Sequence, residues 1–145
     1  MSSVISATTG AVYGVVPVAS RHDEFLESAR ALLEDAHVQL AAGSHDLALE
    51  SAYRAALRTA GAVVAQSTVV AKRKRLPTSA WEKLALTGSR GTYWANTFSG
   101  FSRLRGRVAS GIELKPRVSD VERLVGLADE FFAEAAGEGS GMSAA

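Results

Sequence analysis

The stretch that decides the fold is SHDLALESAYRAALRTAGAVVAQSTVVA, residues 44–71. Small and apolar residues recur in it at the i, i+3, i+4, i+7 spacing that is typical of one face of an amphipathic helix. The hydroxyl of Ser44 can cap the first turn, and Pro77 forbids helix beyond this stretch. Because the face is mostly alanine, a neighbouring helix can approach closely, so we expect the central helix of a bundle. The residues on this face are Leu49, Ala52, Tyr53, Ala56, Ala60, Val63 and Val64.

Another helix is predicted directly before this stretch. We expect it to begin after Ser20, because Asp23 three residues later completes a pattern like a capping box. Gly43 suits its C-terminal end. Gly43 and Ser44 make a tight connection, so the first and second helices should form an antiparallel hairpin. The apolar face of the first helix consists of Phe25, Ala29, Leu32, Leu33, Ala36 and Leu40.

The rest of the chain predicts three more helices. A short one begins at Ser79 and the last one at Ser119, each followed three residues later by a glutamate that completes a capping box. Between them, an amphipathic helix runs from about Ser89 to Gly111. No alternating apolar and polar run indicates a strand. The predicted fold is therefore all-α, a helical bundle of about five helices built on a long antiparallel helical hairpin.

The length of 145 residues fits one domain with a real core. We expect the bundle to span residues 20–136, preceded by a flexible N-terminal arm, residues 1–19, and followed by a flexible C-terminal tail, residues 137–145. The side chains expected to be mostly buried are Leu49, Tyr53, Ala56, Ala60, Trp94, Phe98, Phe101, Leu104, Leu124 and Phe131.

Composition excludes several classes of protein. The chain has no cysteine, which excludes disulfides, zinc–thiolate sites and cysteine nucleophiles and fits a cytoplasmic location. No apolar run approaches the roughly 20 residues that span a bilayer, so we expect no membrane segment. The N-terminus lacks the positively charged region of a secretory signal.

Charge is distributed unevenly although the net charge is only +1. Residues 54–117 contain thirteen basic and two acidic groups, whereas the segments on either side are acidic. Such a basic middle can neutralise phosphates and release counterions, so we predict RNA or DNA binding there. Two alternatives remain open: ion pairs with the acidic helices, and docking of an acidic protein partner. The candidate nucleic-acid-binding residues are Lys72, Arg73, Lys74, Arg75, Arg103, Arg105 and Arg107.

Motifs for catalysis or metal binding are sparse. The three histidines lack the HExxH spacing, and Glu34 with His37 forms only a single Glu-x-x-His, whereas di-iron bundles need two. The chain has no G-x-S-x-G motif and no phosphate-binding loop between a strand and a helix. We therefore predict neither a metal site nor a cofactor.

The hairpin resembles the signature hairpin of HEPN domains, in which a short glycine-containing turn leads into a long alanine-rich helix. The second half is similar to the actinobacterial SAV_6107-like branch, and the resemblance covers about residues 20–135. The residues that carry it are Ala41-Ala42-Gly43-Ser44, Ala48, Ala52-Tyr53, Ala55-Ala56-Leu57, Trp81, Leu84, Trp94-Ala95-x-x-Phe98, Arg103, Arg105, Arg107 and Ser119-Asp120.

The resemblance implies a helical bundle that commonly dimerises and that, in many members, is a ribonuclease or binds nucleotides or nucleic acid. The ribonucleases have an arginine followed after four to six residues by a histidine on a late helix. No histidine follows Arg90 here; Arg30 and His37 have the spacing, but on the first helix. We therefore predict a non-catalytic HEPN-like module that binds protein or nucleic acid as a homodimer. The alternative is a toxin-like HEPN ribonuclease that uses Arg30 and His37.

Overall fold

The computed structural model describes the backbone of residues 18–139 and the side chains of residues 21–137. Within this range the chain forms helices and no strand, which confirms the predicted all-α bundle. The helices are α1 (Val18–Ala41), α2 (His45–Gln66), α3 (Thr68–Ala71), α4 (Ala80–Ala85), α5 (Ser89–Ser99), α6 (Ser102–Ala109) and α7 (Val118–Gly139).

Helices α1 and α2 form the predicted antiparallel hairpin. Gly43 has a φ of +81° in the turn, a conformation that favours glycine. The N–H of Ser44 donates to the carbonyl of Gln39, and the N–H of Gly43 donates to that of Leu40. These two bonds are the Schellman pattern that ends a helix with a sharp reversal.

Helix α2 lies at the centre of the bundle, where it packs against α1, α7 and α4. Its alanine-rich face is buried as predicted, and Ala52 and Ala56 have no exposed surface. Of the ten side chains predicted to be buried, nine are; Leu104 is the exception, since it is only half-buried at the edge of the core.

An aromatic cluster fills the core between α2, α4, α5 and α7. Phe98 is fully buried at its centre, with ring centroids of Trp81, Trp94 and Phe131 at 5.5, 5.7 and 5.4 Å. The indole N–H of Trp81 donates to the hydroxyl of Tyr53 at 2.8 Å. This bond satisfies the polar atoms of two large rings that otherwise bury apolar surface.

Two helices that the sequence predicts as continuous are each interrupted. The second one breaks at Ser67, whose backbone is extended and whose hydroxyl accepts from the N–H of Val70 to cap α3. A serine can offer this local alternative to the helical hydrogen bond, and the apolar pattern does not reveal it. The fourth one divides around Gly100 and Phe101 into α5 and α6.

Helix ends at the two termini also differ from the prediction. Helix α1 already includes Ser20, and α7 begins at Val118, so neither Ser20 nor Ser119 is an N-cap. Helix α7 extends to Gly139, three residues into the predicted tail, and α1 begins two residues inside the predicted arm. Residues 1–17 of the arm and 140–145 of the tail lie outside the described residues. None of the described helices is both long and apolar enough to cross a membrane.

Candidate nucleic-acid interface

The first predicted basic cluster lies in the connection between α3 and α4. Lys72 caps the C-terminus of α3, and Arg73, Lys74 and Arg75 follow it outside any helix. All four side chains are exposed. Within residues 21–137, none of them forms an ion pair with a carboxylate, and Arg73 donates only to the carbonyl of Arg75. Their charge is therefore available to an anionic partner.

Two of the three arginines in the second predicted cluster are neutralised within the chain. Arg105 binds the carboxylate of Glu50 through two hydrogen bonds of 2.9 and 2.8 Å. Arg107 lies 3.5 Å from the carboxylate of Glu113, whereas Arg103 is exposed. Ion pairing, which the sequence left open for the basic middle, thus accounts for Arg105 and Arg107.

The ion pair between Glu50 and Arg105 shifts the pKa of both groups. Hydrogen bonds from Arg105 lower the pKa of the Glu50 carboxyl, although partial burial acts in the opposite direction, and the charge of Arg54 adds to the lowering. The same bonds raise the pKa of Arg105. Both groups therefore stay charged at neutral pH.

A groove runs along the outer side of α2, between the start of α1 and the α3–α4 connection. Its cavity volume is about 640 Å³, and its floor is apolar, with Phe25, Leu57 and Val64 among the lining residues. The basic side chains of Arg21, Arg73 and Lys83 line it as well. The groove thus combines an apolar floor with a cationic rim.

A smaller cavity of about 270 Å³ continues this groove toward α6. Phe25 and Leu57 line both cavities, and Arg54, Arg58 and Arg105 complete the smaller one. We call the two together the basic groove. Its basic lining residues are Arg21, Arg54, Arg58, Arg73, Lys83 and Arg105.

The basic groove brings together one residue from each predicted cluster, Arg73 and Arg105, and leaves the other five elsewhere on the surface. The prediction missed Arg54 and Arg58, both of them exposed. They lie four residues apart and therefore on one face of α2. A helical projection of residues 44–71 would have shown both on the side away from the alanine-rich face.

Arg30 and His37, the alternative catalytic pair, bind different carboxylates. Arg30 is held between Glu27 and Glu34 on the exposed side of α1, and hydrogen bonding to Glu27 is the main cause of its raised pKa. The Nε2 atom of His37 lies 2.7 Å from a carboxylate oxygen of Asp129 on α7. The two side chains therefore do not converge on a shared cavity.

Metal binding finds no support in the described residues. No group of three or more His, Asp or Glu side chains lies close enough together there to hold an ion. The chain has no cysteine that could add a thiolate ligand.

Comparison with known proteins identifies a family. The family model of SAV_6107-like HEPN domains matches residues 40–135, about two thirds of the chain. No curated protein and no solved structure matches the chain. The matched range includes most of the basic groove but leaves out Arg21 and Phe25, which α1 contributes.

Proposed function

This chain belongs to the HEPN superfamily, in its SAV_6107-like branch, and we propose that it is a non-catalytic helical module that binds single-stranded RNA or DNA along the basic groove. The observation that carries this proposal is that the exposed side chains of Arg54, Arg58 and Arg73 line the same groove as Phe25 and Leu57, and none of the three arginines forms an ion pair with a carboxylate among residues 21–137. Phosphates that bind such cations release condensed counterions, which drives association.

The shape of the groove favours a single strand over a duplex. The bases of a single strand are free to leave water and contact an apolar floor such as the one that contains Phe25 and Leu57. In a duplex the faces of the bases are stacked on one another, so they could not contact the apolar floor. The cations on the rim are then placed to contact the backbone of the strand while its bases face the floor.

We expect weak, sequence-independent binding that falls steeply with salt. Four to six phosphate contacts on a single strand predict a log–log slope of affinity against salt of about −3 to −4. Fluorescence anisotropy with a labelled 15-nucleotide strand between 50 and 200 mM salt measures this slope. Each phosphate contact that is lost should make this slope less negative by about 0.7.

Two variants and a matched control locate the interface. R54A/R58A removes two charges from the groove, whereas K115A/R117A removes two exposed charges from the α6–α7 connection, outside the groove. We expect the first to flatten the salt slope and the second to leave it nearly unchanged. Equal effects of both would contradict binding in the groove.

An acidic protein partner is the competing interpretation of the same charges. A poly-glutamate peptide tests it in the same assay, as a competitor for the labelled strand. If the wild-type protein retains no nucleic acid at ~50 mM salt and binds the peptide instead, the basic groove is a protein-docking surface.

We also propose that the protein is a homodimer with an isologous interface. Ile112 and Leu114 support this, because each is 76% exposed and only one residue separates them in the α6–α7 connection. Sedimentation velocity should show a dimer at micromolar concentration, and I112E/L114E should shift it toward monomer. A wild-type protein that sediments only as monomer at ten times that concentration contradicts the proposal.

The ribonuclease alternative predicts cleavage that depends on His37. A general base must reach the 2′-hydroxyl of RNA, and a nearby arginine must stabilise the charge that develops on the phosphate. Arg30 is instead held by two glutamates and His37 by Asp129. We therefore expect no metal-independent cleavage of a generic RNA; cleavage that disappears in His37→Ala would establish the alternative.

A further inference from the structure

A further pocket, of about 460 Å³, lies where the start of α5 meets α1, α7 and the α2–α3 link. Its lining includes His22, Ser89, Gly91, Arg90 and Glu134. The volume lies within the range of small-molecule sites. We call it the α5 pocket.

The N-terminus of α5 supplies hydrogen-bond donors to this pocket. Gly88 occupies the N-cap position and provides no side-chain cap, and the first helical bond is the one from the N–H of Thr92 to the carbonyl of Gly88. The backbone N–H groups of Ser89 and Gly91 have no partner among the described residues. Uncapped N–H groups at a helix start favour an anion.

His22 adds an independent observation, because it is a polar side chain that is only 4% exposed and lines the same pocket. Its Nδ1 lies 3.0 Å from the carbonyl oxygen of Ala62. A carbonyl can only accept, so Nδ1 must donate the proton, and Nε2 of the neutral ring is an acceptor. Within the described part of the chain Nε2 has no partner, which is costly for a buried atom unless a ligand or water supplies a donor.

The charges that face the pocket limit the charge of its ligand. Arg90 forms an ion pair with Glu134, with hydrogen bonds of 3.2 and 2.8 Å, and the indole N–H of Trp94 donates to the same carboxylate. Hydrogen bonding from Arg90 lowers the pKa of Glu134, so this carboxyl stays ionised at neutral pH. One cation and one anion cancel, and the site suits a ligand of low charge better than a polyanion.

We propose that the α5 pocket binds a phosphomonoester or inorganic phosphate in its singly protonated form. The phosphoryl oxygens would accept from the N–H groups of Ser89 and Gly91, and the remaining P–O–H would donate to Nε2 of His22. A phosphomonoester has a second pKa of about 6, so part of it keeps this proton near neutral pH, and inorganic phosphate keeps one proton throughout that range. The internal phosphodiesters of nucleic acids have no such proton, which makes this site distinct from the basic groove.

The test compares inorganic phosphate with sulfate, which has the same shape but no proton at neutral pH. Isothermal titration of the full chain at pH 7 should show phosphate binding at least about tenfold tighter than sulfate or dimethyl phosphate, because one charged hydrogen bond is lost with either. Phosphate should also shift the backbone amide NMR signals of Ser89 and Gly91. Equal affinity for phosphate and sulfate, or no response to 10 mM phosphate, would overturn the proposal.

Variants separate a binding role of His22 from a structural one. His22→Asn keeps an N–H that can donate to the carbonyl of Ala62 but removes the Nε2 acceptor, so the preference for phosphate over sulfate should disappear. K115A/R117A is the control and should keep that preference. An unchanged preference in a folded His22→Asn protein contradicts the proposal, and if that variant unfolds, the wild-type comparison of phosphate with sulfate decides alone.

A 5′-terminal phosphate on a nucleic acid offers the same chemistry as a small phosphomonoester. Ribose 5-phosphate and a 5′-phosphorylated oligonucleotide distinguish the two sources in the same titration. The proposal expects both to shift the amide signals of Ser89 and Gly91. A 5′-hydroxyl oligonucleotide, which can occupy only the basic groove, should leave these two signals unchanged; if it shifts them, the α5 pocket is not selective for the monoester.

Discussion

Replacing Phe98 with alanine is expected to lower the free energy of unfolding by about 3–5 kcal/mol. Phe98 has no exposed surface and lies among the rings of Trp81, Trp94 and Phe131. These rings come from three different helices, so they cannot collapse into the space that the missing ring leaves. The loss therefore combines the transfer free energy of the ring with the cost of a cavity. Urea denaturation followed by circular dichroism measures it.

Two further substitutions make this result interpretable. Phe98→Leu keeps most of the apolar volume and should cost less, which provides a measurable variant if Phe98→Ala does not fold. Val38→Ala removes apolar atoms from a side chain that is 69% exposed, and it should change stability by no more than about 0.5 kcal/mol. A loss at Phe98 as small as the one at Val38 would contradict the assignment of this ring to the core.

Gly91→Ala is expected to destabilise the protein by about 1–3 kcal/mol, although alanine is the better helix former. A Cβ atom at this position would lie 2.2 Å from the carbonyl oxygen of Leu84 and 2.1 Å from the hydroxyl of Thr87. The hydroxyl can rotate away, but the carbonyl belongs to the backbone of α4. Helices α4 and α5 would have to separate, and the packing of both against the core would suffer.

Gly106→Ala is the matched control for this substitution. Gly106 lies inside α6, and nothing lies within 4 Å of the position of a Cβ there. Alanine should therefore raise the free energy of unfolding by about 0.5–1 kcal/mol through helix propensity alone. Opposite signs for the two substitutions in urea denaturation would confirm the close contact of α4 with α5; a gain in both would exclude it.

Most of the fold could be predicted because local signals set it. The alanine-rich face of residues 44–71, the turn at Gly43 and the capping box of Ser79 with Glu82 each depend on residues within a few positions of one another. The structure shows the buried face, the positive φ of Gly43 and the hydrogen bond from the N–H of Glu82 to the hydroxyl of Ser79. Features that depend on residues only a few positions apart can be predicted from the sequence without knowledge of the rest of the fold.

Fewer features of the candidate site could be predicted. The contiguous run Lys72–Arg75 identified a basic surface, but the groove beside it depends on Phe25 and Arg21 from a different helix. Charge alone also could not show which arginines are neutralised, because Glu50 and Arg105 are 55 residues apart. The side chain of Arg105 becomes an ion-pair partner only when α6 packs against α2.

The sequence by itself determined that this chain is a helical bundle built on an antiparallel hairpin, since periodicity, caps and turn glycines act over single turns of helix. Only the tertiary structure decided the basic groove and the α5 pocket. The buried His22, for example, faces Ala62 from forty residues away because the hairpin places the start of α1 beside the end of α2. Which charges stay free and which polar atoms lack partners are properties of surfaces between helices, and these exist only after the helices have packed.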